Sequence, residues 1–224
     1  MTLTMNARYT IMLLDDHQLM RLGVTARLSR ETDFEVIGDY GTSQEFFSAL
    51  SRQVPHVAVI DYSLAPTDID GLNLIRSFRA RCPESKLLVL SSHYNPATVA
   101  QALQAGCNGF SGKTQDMDEL VTAIRITLRG DIYLHPAMAQ IINEMIYDDG
   151  RDMASDSIKA VKKLTPREYE VLRCLLDGMT VNEIAQKFFR SANTISTQKK
   201  AAFNKLGIRS DGELFKMQMF ITPP

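Results

Sequence analysis

Five side chains of the 224-residue chain have the types and spacing for phosphoryl chemistry: Asp15, Asp16, Asp61, Ser91 and Lys113. Each ends or closely follows an apolar run rich in strand formers, namely Thr10–Leu14, Val57–Asp61, Lys86–Ser91 or Gly109–Ser111. Three carboxylates in one place repel one another unless a cation intervenes. A hard ion such as Mg2+ suits an all-oxygen ligand set and would also neutralise an incoming phosphoryl group. Asp61 then has the chemistry of a nucleophile that forms an acyl phosphate. Lys113 can pair with a phosphate oxygen as a point charge, and Ser91 can donate a hydroxyl hydrogen bond. Taken singly, Asp15 and Asp16 are ordinary helix caps and Lys113 an ordinary surface charge. The specificity lies in the set.

That set requires a fold that gathers strand ends. Apolar runs alternate with helical spacing through residue 130, and Phe34–Gly38 supplies a further run. Several runs are continuous, as strands covered on both faces should be. Between them stand Leu19, Leu22 and Ala26, then Leu72, Ile75 and Phe78, then Leu120, Ala123, Ile124 and Leu128. Such alternation implies a doubly wound α/β fold with a five-stranded parallel sheet, whose sites lie at the carboxyl ends of the strands.

The C-terminal part differs in charge and periodicity. Residues 1–158 hold 13 Lys/Arg and 20 Asp/Glu, a formal −7, whereas residues 159–224 hold 12 and 6, a formal +6. A basic domain attracts phosphate backbones. Thr165-Pro-Arg-Glu168, Thr180-Val-Asn-Glu183 and Ser210-Asp-Gly-Glu213 are capping boxes, Ser191 caps a further helix, and no strand pattern appears. The result is a small all-α, four-helix domain. Helix Val181–Phe188, the turn Phe189–Ser191 and helix Ala192–Leu206 form a helix-turn-helix candidate. Ile184, Ala185, Ile195 and Phe203 face the core, and Ser196, Thr197, Lys199, Lys200 and Lys205 face outward. These side chains suit phosphate contacts and major-groove readout.

We divide the chain into residues 1–130, a linker over 131–160 with a short helix from Pro136 through Ile146, and a DNA-binding domain over 161–224. No apolar run reaches the roughly 18 residues of a membrane span, and Met1–Arg8 lacks the apolar core of a secretory signal. Scattered Cys82, Cys107 and Cys174 fit a reducing, cytoplasmic compartment. No Gly-rich phosphate loop, catalytic triad or metal-ligand Cys/His spacing is present, so no enzyme activity is expected beyond self-phosphorylation at Asp61.

Leu13-Leu-Asp-Asp-His17, Val59-Ile-Asp61, Ser91 and Gly109-Phe-Ser-Gly-Lys113 resemble the signature of two-component receiver domains, with a flavodoxin-like fold. That resemblance implies that Asp61 accepts phosphate from a sensor histidine kinase or phosphotransfer protein. It implies that Asp16, Asp61 and the Ser63 carbonyl hold Mg2+ with Asp15 assisting. It further implies that Ser91 and Phe110 form the switch pair, Phe110 rotating inward on phosphorylation. Leu164–Leu172, Gly178–Ala185, Thr194-Ile195 and Lys205–Ile208 resemble the LuxR/FixJ/NarL-type DNA-binding domain. By that resemblance Ser196, Thr197 and Lys200 contact bases, Gln198 and Lys199 flank them, and Lys205 lies near the backbone. Thr194-Ile-Ser-Thr-Gln-Lys-Lys-Ala201 and the loop after Asp61 are similar to response regulators of the Rcs phosphorelay type, implying an upstream phosphotransfer protein and an auxiliary LuxR-type partner.

The expected function is thus a DNA-binding transcriptional regulator that dimerises when phosphorylated, the unphosphorylated receiver covering the DNA-binding face. A constitutive DNA-binding protein with a receiver used only for protein contacts is the alternative, and the complete acidic set argues against it. One departure stands out. The loop Ala65-Pro-Thr-Asp-Ile-Asp-Gly71 is two residues longer than receivers usually have, and Asp68 and Asp70 are expected to add negative charge near the pocket.

Overall fold

The computed structural model describes residues 8–92, 94, 96–147 and 164–215. The strands are β1 (Tyr9–Leu14), β2 (Phe34–Tyr40), β3 (Val57–Asp61), β4 (Lys86–Ser91), β5 (Gly109–Gly112) and β6 (Tyr133–Leu134). They form one parallel sheet in the order β2-β1-β3-β4-β5-β6. The two-residue β6 extends the five expected strands to six. Helices α1 (Gln18–Leu28) to α5 (Met117–Leu128) alternate with the strands: α2 is Ser43–Leu50, α3 Gly71–Arg81 and α4 Pro96–Ala105.

Because side chains alternate across a strand, β1 sends Ile11 and Leu13 to one core with Val24, Leu28, Leu120 and Ile124. It sends Met12 and Leu14 to a second core with Phe46, Leu72, Ile75 and Phe78. Both faces of the sheet are therefore covered, which explains why β3 reads Val-Ala-Val-Ile-Asp with every residue buried. The strand order reverses between β1 and β3, and such a reversal opens a crevice at the strands' carboxyl ends.

The expected apolar stripe of α1 is not its inner face. Leu19 and Leu22 are 84% and 57% exposed and Ala26 is exposed, while Val24 and Leu28 carry the packing. With six of its eleven residues apolar, α1 offers two stripes, and the sheet selects the Val24/Leu28 one.

Helix α6 (Pro136–Tyr147) follows β6, its Met138 and Ile142 closing the second core. The polar stretch Asp148–Asp156 lies outside the described residues. The C-terminal helices are α7 (Pro166–Leu176), α8 (Val181–Lys187) and α9 (Ala192–Leu206), and residues 211–215 are also helical. Two of the three expected capping boxes form, Thr165 with Glu168 and Thr180 with Glu183; at the third, Ser210 accepts from the Glu213 amide at 3.3 Å but the Glu213 carboxylate accepts from the Arg209 amide, and Ser191 caps α9 through the Thr194 amide. Gly207 ends α9 in the left-handed region at φ 70°, where glycine carries no Cβ penalty. Ile184, Ala185, Ile195 and Phe203 join Tyr169, Leu172 and Leu214 in a third core.

Candidate functional site

The ends of β1, β3, β4 and β5 bring Asp15, Asp61, Ser91 and Lys113 to one sheet edge, as the topology requires. Asp15, Asp61 and Ser91 are buried. The Lys113 ammonium lies 2.6 Å from Asp61 Oδ2, to which it donates, and 2.7 Å from Asp15 Oδ2. The Ser63 amide donates to Asp61 Oδ1 at 3.2 Å. Burial pushes the Asp61 carboxyl up to about 6, with Lys113 opposing that rise and Asp15 adding to it. Burial alone would depress Lys113, but Asp61 and Asp15 hold it above its ordinary value.

Asp16 stands half-buried at the mouth. Ligand atoms of Asp15, Asp16, His17 and Asp61 lie within 4.8 Å of one another. Three carboxylates in that volume are an oxygen-rich donor set of the kind that fits a hard divalent cation. His17 was not among the expected site residues. Its Nδ1 is 2.8 Å from Asp16 Oδ1, and its place directly after the Asp pair at a strand end was the available signal.

Two expectations near the pocket need correction. Asp68 and Asp70 do not charge the pocket. Asp68 accepts from the Ser43 amide at 2.8 Å and from the Ser43 hydroxyl, capping the start of α2. Asp70, 2% exposed, turns to the C-terminal helices. An unpaired buried carboxylate would be costly, so Asp70 finds donors away from the acidic cluster, and half-buried Asp68 likewise pairs with Ser43. Phe110 is the second correction. Its ring is already fully buried, packed against Tyr62 at 5.8 Å and Tyr94 at 5.9 Å. Burying a phenyl ring contributes about 1.5–3 kcal/mol, so the inward position needs no phosphoryl group.

On α9, Ser196, Thr197, Lys200 and Lys205 are exposed, and Gln198 and Lys199 are half-buried. The Thr197 hydroxyl donates to the Asn193 carbonyl at 2.9 Å. Lys199 pairs with Asp211 at 2.6 Å and Lys205 with Glu168 at 2.6 Å. Burial works to raise the Glu168 carboxyl, but Lys205 and Thr165 hold it below its ordinary value. Lys200 makes no ion pair among the described residues.

Among the described residues the receiver leaves Ser196, Thr197 and Lys200 of α9 exposed, contrary to the expectation that it covers the DNA-binding face. It meets the C-terminal helices through α7 and through Lys187 of α8. Arg173 and Lys187 are buried and offer charges complementary to Asp70, with Glu170 as a second acceptor for Arg173, whereas the polar outer face of α9 has no such match among the described residues. Glu170, Arg173 and Lys187 had no expected role. Nothing in helical periodicity marks charged residues as buried between domains.

Comparison with known proteins gives the same division of labour. Residues 11–125 match the response regulator receiver domain, and residues 162–218 match the bacterial regulatory proteins of the luxR family. The transcriptional regulatory protein UhpA of Escherichia coli is 33% identical over 206 residues, 92% of this chain and 95% of UhpA. RcsB of Salmonella typhi is 29% identical over 214 residues, 95% of this chain and 94% of RcsB. Among solved structures, the Salmonella typhimurium RcsB response regulator superposes with a TM-score of 0.80 at 26% identity, covering 96% of this chain and 99% of RcsB. RcsB from Salmonella enterica serovar Typhimurium bound to promoter rprA with the phosphomimetic BeF3− gives 0.76 at 28% identity, covering 93% and 97%. The chain therefore belongs to the response regulators that join a receiver domain to a LuxR-family DNA-binding domain.

Proposed function

We propose that Asp61 accepts a phosphoryl group from a phosphohistidine on a sensor histidine kinase or phosphotransfer protein, and that this controls promoter binding by a homodimer. The observation that carries the reading is the buried Asp61 carboxylate held 2.6 Å from Lys113 beside Asp15 and Asp16. A carboxylate oxygen of Asp61 attacks phosphorus, and the P–N bond breaks. Its electron pair leaves with the imidazole, which takes a proton from solvent. Lys113 shifts from Asp61 Oδ2 to a phosphoryl oxygen, and the Ser91 hydroxyl donates to another. Asp16, Asp61 and the Ser63 carbonyl would hold Mg2+, with Asp15 assisting, and the ion supplies charge neutralisation for the transfer. Ser91, with the already inward Phe110, carries the change to the surface of the receiver.

Residues 1–130 act as the receiver, 131–160 as the linker and 161–224 as the DNA-binding domain. Ser196, Thr197 and Lys200 read bases, Gln198 and Lys199 flank them, and Lys205 meets the backbone. The protein acts in the cytoplasm and catalyses nothing beyond its own phosphorylation and slow dephosphorylation. The likeness to RcsB supports a phosphotransfer protein upstream and an auxiliary LuxR-type regulator as a further partner.

The test is labelling with acetyl phosphate and Mg2+. Wild-type protein should take up one phosphoryl group and Asp61→Asn none, because an amide is a poor nucleophile. Uptake of a stoichiometric phosphate by Asp61→Asn would place the acceptor elsewhere. At limiting Mg2+, labelling should fall as pH drops through about 6, where the Asp61 carboxyl gains its proton.

DNA affinity should also fall steeply with ionic strength, with a slope of about −0.9 per neutralised phosphate in a log–log plot. A flat salt dependence would speak against the basic face of α9.

A further inference from the structure

The turn between α8 and α9 carries two adjacent phenylalanines with opposite fates. Phe188 packs against the third core. Phe189 is 81% exposed, more than any other Phe or Tyr among the described residues. Its backbone lies at φ 52°, and it is the one non-glycine residue with a positive φ among the described residues. The cause is local. The Phe189 amide donates to the Gln186 carbonyl at 3.1 Å and the Arg190 amide to the Ala185 carbonyl at 2.9 Å, which closes α8 with a left-handed residue. That position ordinarily takes glycine or asparagine, and a bulky side chain there is strained. Gly178 and Gly207 close α7 and α9 in the same conformation.

Phe189 is thus costly twice, in backbone strain and in apolar surface left in water. Its ring joins none of the three cores among the described residues. A strained residue with no return inside the fold points to a use outside it, and its surroundings point to DNA. The ring lies in an open groove between α8 and the first turn of α9, lined also by Asn182, Gln186, Arg190, Ser191 and Thr194. All five are exposed, and no lining residue is acidic. Amides, hydroxyls and one guanidinium are the groups that meet phosphate oxygens. The groove also adjoins the base-reading face, because Thr194 stands three residues before Thr197 on the same side of α9. In a helix-turn-helix the first helix crosses the DNA backbone while the second lies in the major groove. The notch between them therefore receives the sugar–phosphate chain of one strand.

We propose that Phe189 and Arg190 clamp that strand: the Phe189 ring packs on a deoxyribose, and the Arg190 guanidinium pairs with the adjoining phosphate. Contacts of this kind carry no sequence information. They fix how α9 is seated, while Ser196, Thr197 and Lys200 read bases. The strained turn serves the clamp directly, because the left-handed backbone holds the ring out of the third core and beside Arg190. Burying the ring on a sugar adds apolar contact without charge, a contribution that salt does not screen as it screens the lysines.

The clamp rests on the reading of α9 as the helix that enters DNA, proposed above. The test uses the full chain carrying Phe189→Asn, Phe189→Gly or Arg190→Ala, with Lys200→Ala and Lys205→Ala as controls. Affinity is measured over a range of salt for a mixed-sequence duplex of roughly two helical turns and for the same duplex with uracil in place of thymine. Both Phe189 variants should bind at least about fivefold more weakly, less than full burial of a Phe side chain would give. Their salt slope should match wild type, because no charge is removed. Arg190→Ala should weaken binding and reduce the slope by about 0.9. Neither Phe189 variant should lower the urea midpoint, since glycine and asparagine accept the left-handed backbone. Unchanged affinity in both Phe189 variants would overturn the clamp, and a loss of transcription at unchanged affinity would assign the ring to a protein partner instead. A loss that disappears on the uracil duplex would overturn it too, by placing the ring on a thymine methyl. A lower urea midpoint in both variants would make the ring a structural element and overturn the clamp as well. If Lys200→Ala and Lys205→Ala also leave affinity unchanged, the reading of α9 fails; if they weaken binding and the Phe189 variants do not, the clamp alone fails.

Discussion

Replacing Lys113 with alanine should destabilise the metal-free receiver by about 3–5 kcal/mol at neutral pH, the usual cost of removing one partner from a buried ion pair. Asp15 and Asp61 are both buried, and Lys113 lies within 2.7 Å of each. Without it, only the Ser63 amide opposes the burial and the Asp15 charge that already raise Asp61 to about 6. The pH dependence has a definite sign. Between the unfolded carboxyl value near 4 and the folded value, the folded state binds more protons than the unfolded state, so stability falls as pH rises through that window. The penalty of Lys113→Ala should therefore be largest above pH 7 and shrink toward pH 4. Saturating Mg2+ should stabilise the variant more than wild type, because it replaces the missing positive charge. Urea unfolding followed by circular dichroism at pH 5 and pH 8, with Mg2+ or with chelator, measures all of this. Equal losses at both pH values would mean that Lys113 and Asp61 are not coupled. Lys113→Ala should also retain some labelling by acetyl phosphate while losing its link to dimerisation.

The second large effect is expected on α9, where the structure separates two lysines that the sequence makes look equivalent. Lys200 is exposed and has no ion pair among the described residues. Lys205, toward the C-terminal end, pairs with Glu168, whose carboxylate also accepts from the Thr165 amide at 2.6 Å. A phosphate contact carries little sequence information, whereas a bidentate contact to guanine discriminates by about 1–3 kcal/mol. Lys200→Ala should thus weaken binding to a specific site by about 5- to 150-fold and narrow its advantage over scrambled DNA. Lys205→Ala should weaken both DNAs alike, and should also lower stability by leaving Glu168 buried beside its cap without a cation. Thr197→Ala should fall between them. Paired binding curves on specific and scrambled duplexes at fixed salt decide. Equal losses on both for Lys200→Ala would move specificity to Ser196, Thr197 and Gln198 or to DNA shape.

These outcomes depend on contacts that differ in how far the sequence discloses them. Asp15, Asp61, Ser91 and Lys113 could be brought together on paper because a parallel sheet aligns strand ends whatever the sequence distance between them. The helix caps Thr165, Thr180 and Ser191 were readable because capping is local. Loop direction is not local. Asp68 and Asp70 sit close to Asp61 in sequence, yet their carboxylates turn to Ser43 and to Arg173. The Asp70–Arg173 pair spans 103 residues and joins two domains, so no periodicity announces it. Leu19 and Leu22 show the same limit on a helix. Their spacing is helical, but which stripe faces the sheet is decided by Val24 and Leu28 fitting the core. The motif around Phe110 gave no sign that its ring is already seated between Tyr62 and Tyr94, because that packing joins residues distant in sequence.

Control of DNA binding by Asp61 is tested most directly by titrating one promoter duplex with the full chain, with and without beryllofluoride and Mg2+, in wild type and Asp61→Asn. Beryllofluoride should tighten wild-type binding by about 5- to 150-fold, the range of common coupling energies, and leave Asp61→Asn unchanged. Equal tightening in the two proteins, or none in wild type despite bound beryllofluoride, would contradict phosphorylation control through Asp61.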